Sequence, residues 1–347
     1  MIRISARNRS ASSFAGMMGR FGLTTGRSAG VDTEPWAVSI RPSRASPSRS
    51  RISNTRGHET AANKAFPRLR GPPRKGFLRR AVSIARMLRE TFVHVPGVGY
   101  RTEERLWRMG IRTWDDFSAA RRPRRLSLKL GHRIEDELTR SSEALRRGRH
   151  RYFARGLWPR DHWRAWREFR HAIAFLDIET TGLSIGRDAI TVVGVYDGAR
   201  KRSFVQGDNL EDLPAAMARA KLLVTFNGSR FDVPFLRKAF PRMALDQIHL
   251  DLLHPLRRLG FVGGLKAIET QVGILRSEET SGLAGFDAVR LWHAYDAGDD
   301  DALDLLLEYN MEDVVNLEPL AELAYEGLRS LCLDGGFVTA DRLPRPR

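Results

Sequence analysis

The order of apolar segments after residue 172 restricts the fold more than any other feature of the chain. Three strand-like segments follow one another, and two further strands then alternate with helical segments. The five strand-like segments read AIAFLDIE, AITVVGVYD, RSFVQG, KLLVTFN and DQIHLDL. Short apolar runs of this kind, bounded by turn residues, are typical of buried strands. Their order predicts an α/β domain over residues 172–330 with a mixed five-stranded sheet flanked by helices.

An acidic pair interrupts the first of these strands. The stretch FLDIETTGL, residues 175–183, carries Asp177 and Glu179 just before the chain turns at Gly182. Side chains alternate along a strand, so both acids lie on the same side of it. Desolvating two like charges is costly unless a cation compensates them. The end of this strand therefore predicts a cation site.

Two later blocks supply further oxygen ligands. Asp232 follows a glycine-containing loop in TFNGSRFDVPFL, where a strand has ended and a helix begins. In YNMED, Tyr309 and Asp313 are four residues apart and share one face of a helix, with Cβ atoms about 5–6 Å apart. We expect Pro319 to end or kink this helix. Four carboxylates and one tyrosine are thus expected to converge.

The chemistry of these ligands favours a hard divalent cation. Oxygen-only clusters suit Mg²⁺ or Mn²⁺, whereas Zn²⁺ prefers histidine and cysteine. Two such ions about 3.5–4 Å apart activate a water molecule and stabilise the leaving oxygen in phosphodiester cleavage. The acids therefore predict two Mg²⁺ or Mn²⁺ ions.

The three blocks LDIETTGL, TFNGSRFDVPFL and YNMEDVV resemble the three exonuclease motifs of the DEDD superfamily of 3′–5′ exonucleases, which have an RNase H-like fold. A tyrosine four residues before the last aspartate resembles the DEDDy branch. The segments HLDLLHPLRRLG and GGLKAIE are more narrowly similar to the YprB-type RNase H-like predicted exonucleases. In those proteins an HVPGVG-like helical element precedes the nuclease domain. The resemblance spans about residues 87–330.

Catalytic roles follow from this resemblance, motif by motif. Asp177 would bridge both metals, and Glu179 and Asp313 would complete the tighter site. Asp232 would hold the second metal. Tyr309 would orient the attacking water rather than act as a strong base, since the ordinary pKa of tyrosine is about 10.

Four residues near the acids are candidates for nucleic-acid contacts. Asn227 would shape the site for the terminal nucleotide, and Thr180 and Thr181 would bring backbone N–H groups to the 3′ end. Lys266, in GGLK, would lie near a phosphate, although a helix-opening glycine turn explains this sequence equally well. For Glu312, beside Asp313, we expect a solvated position.

Residues 87–150 predict a small helical domain that resembles a helix-hairpin-helix element. The turn from Gly97 to Gly99 directly precedes a helix, so that backbone N–H groups could approach a phosphate. Arg101 would add a charged contact to a nucleic-acid backbone. A small helical domain with a tight glycine turn and no such role is the alternative.

The charge is distributed unevenly around this element. The net charge is +17, with 18 Lys/Arg against 3 Asp/Glu in residues 1–86, 21 against 11 in residues 87–171, and 19 against 27 in residues 172–347. A basic segment beside an acidic one indicates a polyanion-binding surface next to a carboxylate-rich site. A solvated, arginine-rich surface is the alternative.

The segments outside the two domains are interpreted from their composition. Residues 1–86 are a basic Arg/Ser/Pro-rich extension that we expect to be disordered, and a mis-assigned start upstream of Met87 is an alternative origin. Residues 151–171 form a basic aromatic connector, whose tryptophans are more typical of packing than of base stacking. Residues 331–347 form a C-terminal tail.

The function favoured by the sequence is a metal-dependent 3′–5′ exonuclease that acts on single-stranded DNA or RNA ends and releases nucleoside 5′-monophosphates. The alternatives are an inactive nucleic-acid-binding module on the same fold, and a structure-specific endonuclease that holds duplex through the helical element. The chain has a single cysteine, Cys332, so it cannot form an internal disulfide. This is typical of proteins in a reducing compartment, and we expect the cytoplasm. No segment approaches the about 18 apolar residues of a membrane span, so we expect no membrane partner.

Overall fold

The computed structural model describes residues 86–120 and 126–333. All of them belong to the unit Ala65–Arg347, one of two units into which the chain divides. The predicted disorder of residues 1–86, apart from Arg86, lies outside the described residues, as does the predicted tail beyond residue 333. None of the helices within the described ranges is long and apolar enough to cross a membrane.

A mixed sheet of five strands lies at the centre of this unit. Its strands run in the order β3-β2-β1-β4-β5, with β1–β2 and β2–β3 antiparallel and β1–β4 and β4–β5 parallel. Each strand coincides with one of the predicted apolar segments, so the predicted mixed five-stranded sheet is confirmed. The strands are β1 (Ile173–Thr180), β2 (Ile190–Tyr196), β3 (Lys201–Val205), β4 (Leu222–Thr225) and β5 (Ile248–Asp251).

Helices precede the sheet, cover both of its faces and follow it. Before the sheet come a 3₁₀ turn (Met87–Glu90), α1 (Tyr100–Arg108), α2 (Trp114–Ala119), α3 (Leu128–Arg146), α4 (His150–Gly156), a 3₁₀ helix (Pro159–Ala165) and α5 (Trp166–Phe169). Within and after it come α6 (Leu213–Met217), α7 (Asp232–Ala239), α8 (Leu253–Arg258), α9 (Leu265–Val272), α10 (Glu278–Ser281), α11 (Gly285–Asp296) and α12 (Asp300–Leu333). Single 3₁₀ turns occupy Arg170–Ala172 and Leu210–Asp212.

The alternation of side chains along β1 decides which face of the sheet receives the acidic pair. Leu176 and Ile178 pack in the apolar cluster that contains residues of α6 and α7. Ile173 and Phe175 belong to the opposite cluster, together with residues of α12. Asp177 and Glu179 continue the series of Ile173 and Phe175, because side chains on one face recur at every second residue. The acidic pair therefore faces α12.

Helix α12 is 34 residues long and continues through Pro319. The expectation that Pro319 ends the helix is therefore wrong, and the kink expected as the other outcome stays a prediction. A proline inside a helix loses one backbone hydrogen bond and crowds the carbonyl four residues earlier. Here Pro319 is exposed, whereas Leu317 and Leu320 on either side of it are buried, as is Tyr325 further along. Burial of the apolar face on both sides of the proline outweighs the local cost.

The N-terminal helices share one apolar cluster with the sheet. Phe92, Trp114 and Phe153 from the helical segment belong to the same cluster as Phe175 and Val224 of the sheet. Thr113 caps α2 as its sequence indicates, through a capping box with Asp116. The division between 87–150 and 172–330 stays a prediction, although the side chains of both parts pack together.

The connector between the helices and β1 is mostly a packing element. Trp163 and Trp166 are fully buried, which confirms the interpretation that these tryptophans pack rather than stack on bases. Arg164 is buried as well and forms an ion pair with Glu103 of α1, with its Nη1 and Nη2 each 3.0 Å from a carboxylate oxygen. Trp158 is the exception, with 64% of its surface exposed.

Candidate active site

Three of the predicted acids meet between β1 and α12. Asp177, Glu179 and Asp313 each offer one carboxylate oxygen, and these oxygens all lie within 4.8 Å of one another. Glu179 and Asp313 are buried, and Asp177 is partly exposed. The predicted convergence of the acidic pair with the last aspartate is therefore present in the fold.

A glycine on β2 makes this convergence sterically possible. Gly194 lies opposite Asp177 in the antiparallel pairing of β1 and β2. A Cβ atom at Gly194 would lie 2.2 Å from Oδ1 of Asn310 and 2.7 Å from a methyl group of Val314. The absent side chain allows α12 to approach the sheet. Asn310 then donates to Asp177 Oδ2 at 3.1 Å and to Glu179 Oε1 at 3.5 Å.

Asp232 lies beside these three acids but outside their group. It is the first residue of α7 and is 2% exposed, and its Oδ1 atom is buried without a hydrogen-bond partner among the described residues. Its charge acts on Asp177 more strongly than that of either other acid. A buried carboxylate oxygen without a donor is the kind of atom that a cation would satisfy.

The electrostatics of the four carboxyls fit a divalent cation. Burial, followed by the charge of Asp313, raises the pKa of Glu179 to about 8. Burial also raises the pKa of Asp232 to about 7 and raises the pKa values of Asp177 and Asp313. Carboxyls that repel one another in a desolvated site resist ionisation, and a bound cation reverses that effect. The donor set, all of it carboxylate oxygen, fits Mg²⁺ or Mn²⁺.

Tyr309 lies beside the acids with its hydroxyl held neutral. The residue is 4% exposed, and burial together with the charges of Asp313 and Glu179 raises the pKa of its hydroxyl well above the ordinary value. A neutral phenol cannot act as a strong base, and the orienting role of Tyr309 stays a prediction. The Nζ atom of Lys266 lies 4.3 Å from the centre of the Tyr309 ring and donates to the carbonyl of Leu283.

Two charged residues in this region have contacts that the sequence did not indicate. Arg276 pairs with both Asp313 and Glu269. The expectation of a solvated Glu312 is wrong, because Glu312 accepts hydrogen bonds from the Ser277 backbone N–H at 2.9 Å and from the Thr280 hydroxyl. The helix face that carries Glu312 meets α10, a contact that helical spacing alone does not indicate.

Asp251, at the end of β5, holds the loop that leads to Asp232. Its carboxylate accepts the backbone N–H groups of Asn227 at 2.7 Å and Ser229 at 3.1 Å. Asn227 has a φ of 62°, a left-handed conformation that asparagine tolerates better than most residues. The predicted role of Asn227 toward a nucleotide stays a prediction. No local sequence signal singles out Asp251, because its partners Asn227 and Ser229 lie more than 20 residues earlier in the chain.

The two threonines after the acidic pair already have local hydrogen bonds. The Thr180 hydroxyl donates to the carbonyl of Gly182 at 2.6 Å. The Thr181 backbone N–H donates to the carbonyl of Ala189 at 2.9 Å. Both bonds shape the turn between β1 and β2, and the Thr181 amide is engaged within it.

The predicted glycine turn lies at the start of α1, next to two connector residues. Gly97 has a φ of 88°, which favours glycine, and Gly99 is the N-cap residue of α1. Gly99 and Arg101 line a groove of about 300 Å³ together with exposed Trp158 and with Arg160. The Arg160 guanidinium lies 5.8 Å from the ring centre of Trp158.

Comparisons with known proteins give one family match. Residues 174–325, just under half of the chain, match a family model described as the RNase H superfamily. No curated protein sequence matches the chain significantly. Among solved structures, the chain is similar to the family B DNA polymerase from the hyperthermophilic archaeon Pyrobaculum calidifontis, with 17% identity and a TM-score of 0.37. That similarity covers 46% of this chain and only 25% of the polymerase chain.

The family match covers the part of the chain that carries the acids. The matched residues begin in β1 and end in α12, and they include Asp177, Glu179, Asp232, Tyr309 and Asp313. The five-stranded mixed sheet and the flanking helices are those of an RNase H-like fold. The chain therefore has an RNase H-like α/β fold, and its family match supports a nuclease.

Proposed function

We propose that the chain is a metal-dependent 3′–5′ exonuclease that hydrolyses phosphodiester bonds at single-stranded nucleic-acid ends. The observation that carries this proposal is the meeting of Asp177, Glu179 and Asp313, with one oxygen from each within 4.8 Å of the others. Buried acids that repel one another are costly in a protein unless a cation binds them. The order of the three motifs along the chain adds the resemblance to DEDDy exonucleases.

Each residue has a distinct part in this proposal. Asp177, Glu179 and Asp313 would hold one cation, and Asp232 would hold a second together with Asp177. Bound there, the two ions would supply the charge that activates water and stabilises the leaving oxygen. Tyr309, neutral and next to Asp313, would orient the attacking water through its hydroxyl.

The nucleic acid would be held by groups around this cluster. Lys266, whose Nζ atom lies 4.3 Å from the centre of the Tyr309 ring, would contact a phosphate. Thr180 ends the strand that carries the acidic pair, and Asn227 lies in the loop before α7. Both would meet the terminal nucleotide. The glycine turn at Gly97 and Gly99, with Arg101, would contact the backbone of the strand that leads away from the site.

A labelled oligonucleotide tests the proposal. We expect the protein with Mg²⁺ or Mn²⁺ to shorten a 5′-labelled single strand stepwise and to release nucleoside 5′-monophosphates. Asp177→Asn, which keeps the shape of the side chain but removes its charge, should lower the rate by at least about 10²-fold. Asp208→Asn, an exposed acid after β3, is the matched control. Equal cleavage by wild type and Asp177→Asn would contradict the site.

Two other functions give different results in the same assay. An endonuclease would cut a circular single strand, which an exonuclease leaves intact. An inactive binding module would retain the oligonucleotide without metal-dependent cleavage. Running DNA and RNA in parallel identifies the preferred substrate, because discrimination at the 2′-OH depends on contacts outside the three motifs.

A further inference from the structure

An arginine from a loop outside the three motifs contacts the acid cluster. Arg276 lies between α9 and α10, and its side chain is only 5% exposed. Its guanidinium contacts Asp313 Oδ1 through Nη2. From this contact, and from two anchors that hold the arginine in place, we propose that Arg276 is a positioning residue that orients Asp313 for cation binding. The inference rests on the proposed metal-dependent function.

The first anchor is a buried carboxylate that accepts two hydrogen bonds from the guanidinium. Glu269 of α9 accepts Arg276 Nε at 2.6 Å and Nη2 at 2.8 Å. Glu269 is itself buried and also accepts a hydrogen bond from Asn316 Nδ2 at 3.1 Å. Asn316 lies one turn after Asp313 on α12, so Glu269 also contacts the helix that carries Asp313. A two-point contact of this kind fixes the plane of the guanidinium.

The second anchor holds the loop that carries the arginine. Ser277 follows Arg276 directly, and its backbone N–H donates to Glu312 at 2.9 Å. The Thr280 hydroxyl donates to the same carboxylate. Glu312 and Asp313 are adjacent on α12. The Glu312 carboxylate holds the loop, and the Asp313 carboxylate contacts the guanidinium of Arg276. The position of Arg276 relative to Asp313 is thus set from both sides.

The charges around Arg276 favour a role in orienting Asp313 over competition with a cation for the Asp313 carboxylate. Arg276 alone would repel a divalent ion, but Glu269 neutralises the guanidinium at close range. The contact engages Oδ1 of Asp313, and a carboxylate has a second oxygen with which to meet a cation. Outer hydrogen bonds to ligating carboxylates commonly fix their orientation, and their loss costs about 10–100-fold in metal affinity or activity.

Direct measurement of Mn²⁺ binding tests the inference without any nucleic acid or turnover. We would titrate the full-length wild type, Arg276→Gln and Arg276→Lys with Mn²⁺ by calorimetry, and confirm folding by circular dichroism. Arg276→Gln is expected to bind about 10–100-fold more weakly. Arg276→Lys keeps the charge but not the two-point geometry, so it should recover only part of the affinity.

The matched control is Arg290→Gln on the surface of α11. Arg290 also pairs with an aspartate, Asp287, but its side chain is 71% exposed. Its loss should leave Mn²⁺ affinity unchanged. If Arg276→Gln fails to fold, Glu269→Gln is used instead, because it weakens the contact that holds the guanidinium while keeping Arg276. A weaker Mn²⁺ affinity is again expected.

The outcomes separate this inference from the proposed function. Binding by Arg276→Gln, or by a folded Glu269→Gln in its place, that equals or exceeds wild type would overturn the positioning role and leave the metal site intact. Absence of Mn²⁺ binding by the wild type would overturn the metal site itself, and with it both proposals. A ten-fold or larger loss in Arg276→Gln, with Arg290→Gln unchanged, supports Arg276 as the residue that orients Asp313.

Discussion

Among single residues, the four carboxyls around β1 and α12 have raised pKa values, whereas the proposed cation binding requires them to be ionised. Glu179 and Asp232 are buried, and their pKa values rise to about 8 and about 7. The neutral side chains near them offer limited compensation. Asn310 donates to Asp177 and to Glu179, whereas Asp232 Oδ1 meets no hydrogen-bond donor among the described residues. The cluster is therefore expected to be more stable protonated, or cation-bound, than ionised and metal-free.

The raised pKa values predict how stability depends on pH. A carboxyl with a higher pKa in the folded state than in the unfolded state binds its proton more tightly when folded, so stability falls as pH rises toward the folded pKa. The contribution of Glu179 and Asp232 is full below about pH 4 and is lost by about pH 8. Between pH 6.5 and 8.5 in EDTA we expect a loss on the order of 2 kcal/mol, measured by urea denaturation.

That pH range avoids the buried histidines. Burial lowers the pKa values of His94 and His249 to about 4, so their effect on stability is confined to pH values below about 6.5. The double variant Glu179→Gln, Asp232→Asn should lose the part of the decline that these two acids cause, and Glu168, whose pKa burial raises to about 7, should leave a smaller decline in it. Saturating Mn²⁺ should restore most of the wild-type stability at pH 8.5. A wild-type stability that is flat from pH 6.5 to 8.5 in EDTA would contradict the pKa directions.

The residues of the site differ in how far the sequence could predict them. Asp177 and Glu179 were predictable because their spacing and the end of their strand are local features. Tyr309 and Asp313 were predictable because helical spacing places them together. Arg276 is one basic residue among 58 and has no local signature, since its partners on α9 and α12 come together only in the folded chain.

Among the elements, the contact between β2 and α12 controls the geometry of the site. Gly194 is a point of close approach, because Asn310 and Val314 occupy the space where its side chain would lie. Asn310 in turn donates to both acids of β1. The spacing of one helix from one strand therefore sets the distance between the aspartate of α12 and the acidic pair.

A methyl group at Gly194 should move α12 away from the sheet. In Gly194→Ala the new Cβ would overlap Asn310, and overpacking of this kind costs about 1–3 kcal/mol. We expect a melting temperature several degrees lower and weaker Mn²⁺ binding, measured by calorimetry, because Asp313 shifts with the helix. Gly186→Ala is the control, since a Cβ atom there would have no neighbouring atom within 4 Å and the φ of Gly186 is not positive. Equal Mn²⁺ affinity in Gly194→Ala and wild type would show that α12 need not lie so close.

The strands were easier to predict than the ends of the helices. Each strand is a short apolar run between turn residues, and all five lie where those runs occur. The cap of α2 was also predictable, because a threonine followed by an acid three residues later is a local signal. The end of α12 was not predictable from Pro319, because burial of Leu317, Leu320 and Tyr325 depends on packing with distant residues.

In the whole molecule, the helical segment before the sheet is part of the support of the active site. Trp163, Trp166 and Phe169 are buried in the same apolar cluster as α12 residues such as Leu317 and Tyr325. The Met87 backbone N–H also donates to the Tyr325 hydroxyl at 3.0 Å. The predicted boundary near residue 172 rests on the start of the α/β pattern and on a sharp change in charge. Neither of these signals reports on the packing between the two parts.

This shared core predicts that the sheet and α12 will not fold stably alone. A chain of residues 172–333 lacks Trp163, Trp166 and Phe169, and each buried aromatic of this size contributes about 3–5 kcal/mol when it is lost from a core. Together these losses are comparable to the about 5–15 kcal/mol by which domains are usually stable. We expect this chain to aggregate or to unfold without a cooperative transition, measured by size-exclusion chromatography and circular dichroism. A chain of residues 86–347, which keeps the whole described core, should unfold cooperatively and bind Mn²⁺ as the full chain does. Cooperative unfolding and Mn²⁺ binding by residues 172–333 would instead establish the separate nuclease domain that the sequence predicts.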